Sequence, residues 1–160
     1  MQLKYEPFKI SRDMENLTLR FEDVPRGWAL CFNNECPLRS ECLRHQAGTL
    51  IPDTMTIAVS VTEKALADGQ CQHFAPAETA TFARGFTHLY DHVRQADYTA
   101  LRKAMTAYLH GKRIYYEYKR GERLLSPAEQ QWIARLFARY GYEDAPVFDG
   151  YEQHYVFAKP

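Results

Sequence analysis

The sequence predicts an α+β protein, and three observations lead to that class. Two stretches of the second half repeat apolar residues at helical spacing and carry terminal signals. Short stretches in both halves alternate apolar with polar residues, as half-buried strands do. Between them lies an irregular run holding three of the four cysteines. At 160 residues the chain can bury roughly two thirds of its unfolded surface, so it needs no covalent staple merely to fold.

In the front half, Leu17, Leu19 and Phe21 alternate with polar residues and predict a short strand, ended by Val24-Pro25-Arg26-Gly27. Pro37 and Gly48 leave room for a short helix around Ser40 to Gln46. Thr56 to Val61 reads as a strand, and Thr62 to Asp68 as one or two helical turns closed by Gly69. Irregular chain of this length calls for an organiser.

The back half carries stronger signals. Asp97 is placed to cap a helix to His110, with Tyr98, Leu101, Met105, Tyr108 and Leu109 on one face and Gly111 beyond it. Ile114, Tyr116 and Tyr118 alternate with charged neighbours and predict a strand, turned by Arg120-Gly121-Glu122. Ser126-Pro127-Ala128-Glu129 is a capping box with proline at the first helical position. The helix it starts buries Trp132, Ile133, Leu136, Phe137 and Tyr140, and Gly141 stops it. Val147 to Phe157 reads as a hairpin or extended pair with Asp149-Gly150 as its turn. His88 and His92 share a helix face at i, i+4, without the H-E-x-x-H pattern of a zinc protease.

Charge divides the chain in the same place. Residues 1–80 hold 8 basic and 11 acidic side chains, and residues 81–160 hold 12 and 9. Ten of the eleven tyrosines lie at or beyond Tyr90. The expected organisation is therefore a cysteine-bearing, metal-organised part over 1–80, packed with a basic helix–strand–helix–hairpin part over 81–160. The formal net charge of +0 gives no global attraction to nucleic acid or an anionic membrane. The N-terminal MQLKYEPFKI has no apolar segment of the kind a secretory leader needs, so the expected location is the cytoplasm, where thiols stay reduced.

Cys31, Cys36, Cys42 and Cys71 follow the pattern C-x4-C-x5-C-x28-C. A disulfide framework needs an oxidising compartment. A catalytic thiol needs a base and an orienting group, and nearness of His45 and His73 in sequence does not supply them. Four small core hydrophobes would suit Cys71, but Asn33, Asn34, Glu35, Arg39, Ser40 and Glu41 make the loop around the others too polar for a core. A soft-metal centre is the favoured reading. Closing the 28-residue gap costs about 3 kcal/mol of loop entropy, whereas a thiolate zinc site returns roughly 10–16 kcal/mol. Structural zinc prefers ligand pairs two to four residues apart, and only Cys31 with Cys36 comes near that; His45 or His73 could replace Cys71 in a zinc set. Four-thiolate iron–sulfur ligation tolerates uneven gaps. Arg39, Arg44 or backbone amides are expected beside the thiolates to offset their charge.

CFNNECPLRSEC followed by CQHF resembles the C-terminal cysteine motif of peptide-transporter ATPases of the ABC class. That resemblance implies a four-iron cluster held by Cys31, Cys36, Cys42 and Cys71. It covers about forty residues, and the phosphate-binding loop of such ATPases is missing. Over most of its length, including CPLRSECLR and SPAEQQWIARLFARYGY, the chain is similar to a bacterial family of uncharacterised proteins of about this size, which implies no activity. The reading is thus a cytosolic protein with a four-cysteine centre, [4Fe–4S] favoured over zinc, in a structural, interaction or regulatory role. An iron–sulfur redox or electron-transfer protein is the alternative.

Lys112, Arg113, Lys119 and Arg120 interleave with Tyr116 and Tyr118, the mixture that single-stranded nucleic acid binders use to hold phosphates and stack bases. A sheet strand with half-buried tyrosines explains the same residues and is favoured, since Glu117 and Glu122 dilute the charge. The element order is similar to a winged helix but lacks one helix of the usual three. No paired carboxylates, nucleophile elbow or phosphate-cradling glycine loop supports an enzyme, and the partner stays open.

Overall fold

A computed structural model describes residues 17–157 of the chain; the N-terminal stretch read for a leader lies outside them. The elements mix helices with small sheets, an α+β arrangement. The described residues fall into two compact units, one of residues 17–78 with 155–157 and the other of residues 79–154. Among the described residues, no helix is long and apolar enough to cross a membrane.

The first unit is built around Leu19, Trp28, Leu30, Leu43, Ala47 and Ala75, with Phe21, Val24, Ile51, Tyr155 and Phe157 packed on them. Strand β1 (Leu30–Cys31) pairs in parallel with β2 (Ser60–Val61), and the Leu30 amide donates to the Val59 carbonyl at 2.9 Å. Helix α1 (Leu43–Thr49) begins where Cys42 bridges to Pro76, with the Leu43 amide on the Ala75 carbonyl at 2.7 Å. Its face lies against β1 so closely that a Cβ on Gly48 would stand 2.4 Å from the Cys31 carbonyl oxygen. Gly48 is therefore inside the helix, where the sequence alone makes glycine look like a terminator. The helix starts and ends three residues later than expected.

Three further expectations for this unit are corrected. Leu17 to Phe21 is not a strand: the chain enters a short 3-10 turn over Phe21–Asp23, tied by Arg20 to the Asp23 carboxylate at 2.9 Å. Only Ser60–Val61 of the stretch from Thr56 is paired, because β1 offers a partner no longer than two residues. Residues 62–68 make a 3-10 turn over Glu63–Ala65 and then a hairpin of β3 (Leu66–Ala67) and β4 (Gln70–Cys71). Asp68 and Gly69 turn it with φ of 51° and 75°, the left-handed pair that Asp-Gly supplies in a two-residue hairpin.

The second unit packs α2 (Gln95–Tyr108), α3 (Lys112–Lys119) and α4 (Pro127–Arg139) around Phe86, Leu101, Met105, Leu109, Tyr115, Leu125, Ile133 and Phe137. A three-stranded sheet runs in the order β6 (Leu124–Leu125), β5 (Thr79–Arg84), β7 (Gly150–Tyr155). The capping box of α4 forms as its sequence predicts: the Glu129 amide donates to Ser126 Oγ at 3.3 Å, and the Ser126 amide to Glu129 Oε2 at 2.7 Å. Trp132 is half-buried and stacks on Tyr108 with ring centroids 3.6 Å apart.

Residues 114–118 are helical, which corrects the strand. Alternation assigns Tyr115 to the polar side, yet Tyr115 is the residue of this stretch that is fully buried. Arg113 and Glu117 form an i, i+4 ion pair at 3.0 Å, a helical signature hidden inside the alternating pattern. Asp97 lies within the first turn of α2 and caps through no side-chain bond; its carboxylate accepts instead from Arg94 and from the Tyr142 hydroxyl, each at 2.8 Å. The expected terminal hairpin is a single strand, β7, beside β5. Asp149 is exposed but does not turn a hairpin: its carboxylate accepts from the Thr87 amide at 3.0 Å and the Thr87 hydroxyl at 2.9 Å. His88 and His92 lie in turns rather than on a helix, and His88 pairs with Asp91 at 2.8 Å.

Candidate functional site

The four cysteines reach one cavity of the first unit from four different pieces of chain. Cys31 comes from β1, Cys36 from the loop after it, Cys42 from the residue before α1, and Cys71 from β4. The tight Asp68-Gly69 turn returns the chain so that Cys71 pairs opposite Leu66. The 28-residue separation of Cys42 and Cys71 is thus closed by the fold. Cys42 is buried, the other three are half-buried, and all four are free thiols.

Arg39, Arg44, His45 and His73 complete the polar part of the lining, with Leu38, Val61 and Phe74 as its apolar part. The cavity proper is about 20 Å³, room for one water-sized species, and about 300 Å³ with its open mouth included. Among the described residues, no three His, Cys, Asp or Glu side chains are gathered closely enough to hold a single metal ion.

Arg44 is the least expected of these residues in its setting. It is only 6% exposed. Its guanidinium donates from Nε to the His73 carbonyl at 2.9 Å and from Nη1 to the Ala29 carbonyl at 2.8 Å, and it lies 4.3 Å over the Trp28 ring. No carboxylate pairs with it among the described residues. Carbonyls and an aromatic face orient a buried cation, but they do not neutralise it. Arg39 is held to the carbonyl of Asn34 within the same loop. His45 Nε2 faces Asn34 Oδ1 at 3.2 Å, so this ring is anchored to the loop that bears Cys36. Trp28, Asn34 and Phe74 belong to the site although sequence reading did not select them. Nothing in the linear order relates Trp28 to Arg44, since only the fold brings them together.

The basic residues of the second unit are placed otherwise than the sequence suggests. Lys112, Arg113, Tyr116, Tyr118 and Lys119 lie on α3, and Arg120 follows it. With α3 helical, the unit has three helices, which removes the missing-helix objection to a winged-helix comparison. The surface is nonetheless largely neutralised. Glu117 receives Arg113 at 3.0 Å and Arg123 at 2.6 Å, and these two cations, Arg123 foremost, hold its carboxyl below the ordinary range. Arg120 pairs with Glu122 at 2.6 Å. The Tyr116 hydroxyl accepts from Arg102 at 2.6 Å. Tyr118 donates to Glu129 at 3.0 Å, and burial, with that carboxylate beside it, pushes its pKa up to about 12. Both hydroxyls are thus engaged within the unit, and both rings are half-buried.

A small α+β protein with four thiols around one cavity is the class that fold and site define. A family model described as a family of unknown function, DUF6078, matches residues 13–157, and the chain belongs to that family. No curated protein and no solved structure matches it. The likeness to the transporter-ATPase cysteine motif therefore rests on the local pattern of the cysteines alone.

Proposed function

We infer that Cys31, Cys36, Cys42 and Cys71 hold one soft-metal centre, a [4Fe–4S] cluster in preference to zinc, which organises the first unit for a structural or interaction role. The observation that carries this reading is the convergence of four free thiols, from four separate pieces of chain, on one cavity. Two further features support it. The buried Arg44 lacks a carboxylate partner among the described residues, and four thiolates ligating a metal supply compensating negative charge. A single zinc ion draws four sulfurs to about 2.3 Å from one point, whereas a cluster gives each sulfur its own iron and holds the sulfurs apart. The uneven spacing C-x4-C-x5-C-x28-C suits the second demand better than the close ligand pairs of structural zinc. When bound, the cluster would supply rigid cross-linking of β1, the loop, α1 and β4, and an electron-accepting group if solvent reaches it. His45 and His73 then serve as neighbours of the centre rather than ligands.

Protein purified without oxygen tests this reading. The expected result is brown protein that bleaches in air, with about four irons per chain and loss of most of the iron on Cys→Ser replacement at any of the four positions. Colourless protein with one zinc per chain would establish the zinc alternative if it also resists iron–sulfur reconstitution, since aerobic expression can load zinc into an iron site. Metal-free protein that keeps its fold and takes up neither metal would remove the reading altogether.

A further inference from the structure

After a turn that the Met55 amide closes on the Pro52 carbonyl at 2.9 Å, the chain from Met55 to Val59 is exposed and belongs to no helix or strand, although it is rich in apolar and β-branched residues. Ile57 is 87% exposed, Val59 58% and Met55 41%. These three side chains alternate along the segment, so they share one face of an extended chain. Among the described residues, the backbone amides and carbonyls of Thr56, Ile57 and Ala58 have no backbone partner. The segment runs directly into β2, which occupies only one side of its strand in pairing with β1. From Thr54 to Thr62 there is no charged side chain. Monomeric proteins usually protect such an edge with lysine, proline or a bulge, and none interrupts this one.

We propose that residues 55–59 are a homodimerisation edge, which extends as a strand when two copies of this chain pair antiparallel about a two-fold axis through Ile57. Charge and pattern argue for a second copy as the occupant. In this register Ile57 faces Ile57 of the other copy, Met55 faces Val59, and Thr56 faces Ala58. The aliphatic side chains thus meet on one face, and the small or hydroxylated ones meet on the other. Asp53 lies in the turn before the segment, and no charged side chain falls within the paired residues, so no like charges are opposed. An isologous contact demands this self-complementarity, and a neutral alternating segment provides it without any second surface. The pairing also gives the Thr56 and Ala58 amides and carbonyls partners, since the Val59 carbonyl already faces β1 and alternate residues of a strand bond to opposite sides. The proposal does not depend on the metal reading.

The test uses the full chain. Sedimentation velocity over a range of concentrations should show a discrete, reversible dimer for the natural sequence. Ile57→Lys and Ile57→Glu should each sediment as monomers, because like charges would meet on the axis and weaken association by roughly tenfold or more. An equimolar mixture of the two variants should recover the dimer as a one-to-one heterodimer. Ile57 is exposed, so thermal unfolding of both variants should match the natural chain at concentrations where that chain is monomeric, which separates lost pairing from lost folding. A natural chain that stays monomeric, as it would if this edge served a different protein, overturns the proposal. So does a dimer indifferent to Ile57→Lys, open-ended aggregation, or a mixture that fails to reassociate.

Discussion

Gly48 shows how a single absent methyl group positions the cysteines. The 2.4 Å separation from the Cys31 carbonyl leaves no room for a Cβ, and the obstacle is backbone rather than a movable side chain. Gly48→Ala should push α1 away from β1 and cost about 1–3 kcal/mol, despite the better helix propensity of alanine. Urea denaturation checks this; a neutral or stabilising result would mean that α1 and β1 are less closely packed. Asp97 makes a prediction about pH. Its carboxyl is held below the ordinary range, first by the Tyr142 hydroxyl and then by Arg94. A lowered native pKa contributes stability that is present above the unfolded-state value of about 3.9 and is lost as pH falls through the native one. Asp97→Asn should therefore lower the melting temperature near neutrality, and the gap from the natural chain should close below about pH 4. A gap that is constant with pH would assign the effect to something other than the charge.

At the scale of elements, legibility followed how local the determining signal was. The start of α4 could be read from Ser126, Pro127 and Glu129 because the whole capping box lies within four residues. The buried face of α2 was equally readable from Leu101, Met105 and Leu109. Helix α3 was not, since a tyrosine-rich stretch satisfies periods of two and of 3.6 together and only packing decides between them. The prediction here is direct: Tyr115→Ala should cost about 3–5 kcal/mol, as for a large buried aromatic, whereas exposed Lys112→Ala should cost under 0.5 kcal/mol. Comparable small losses in thermal denaturation would return Tyr115 to the surface side of a strand. The cysteine pattern singled out four positions but not their geometry, which depends on a Cys42–Pro76 bridge between residues far apart in sequence and on a local Asp-Gly hairpin over Leu66–Cys71 whose signal reads equally as the end of a helical turn.

For the molecule as a whole, the two units have different sources of order. The second has a continuous aromatic and aliphatic core of three helices and a sheet. The first has a smaller core and many short elements. Removal of the proposed metal with an iron chelator should therefore raise amide hydrogen exchange across residues 30–75 and leave α2, α3 and α4 protected. Equal loss of protection in both units would show that the centre stabilises the chain globally, and no change in either would separate the cysteines from folding.

The return of the chain to the first unit at Tyr155 has a consequence for biosynthesis. Phe157 meets Trp28 edge-on at 5.1 Å, and the Val156 amide bonds the Glu78 carbonyl at 2.9 Å. A ribosome that has finished residue 78 must still make residues 79–154 before these contacts are possible, a delay of roughly 4–15 s at about 5–20 residues per second. The second unit, whose sequence is contiguous, can fold during that interval as soon as it clears the exit tunnel. All four thiols, by contrast, wait on a nascent chain whose core is not yet sealed. For the proposed iron–sulfur group, timing would therefore favour insertion before the last residues close the first unit, while the site is most open to a donor.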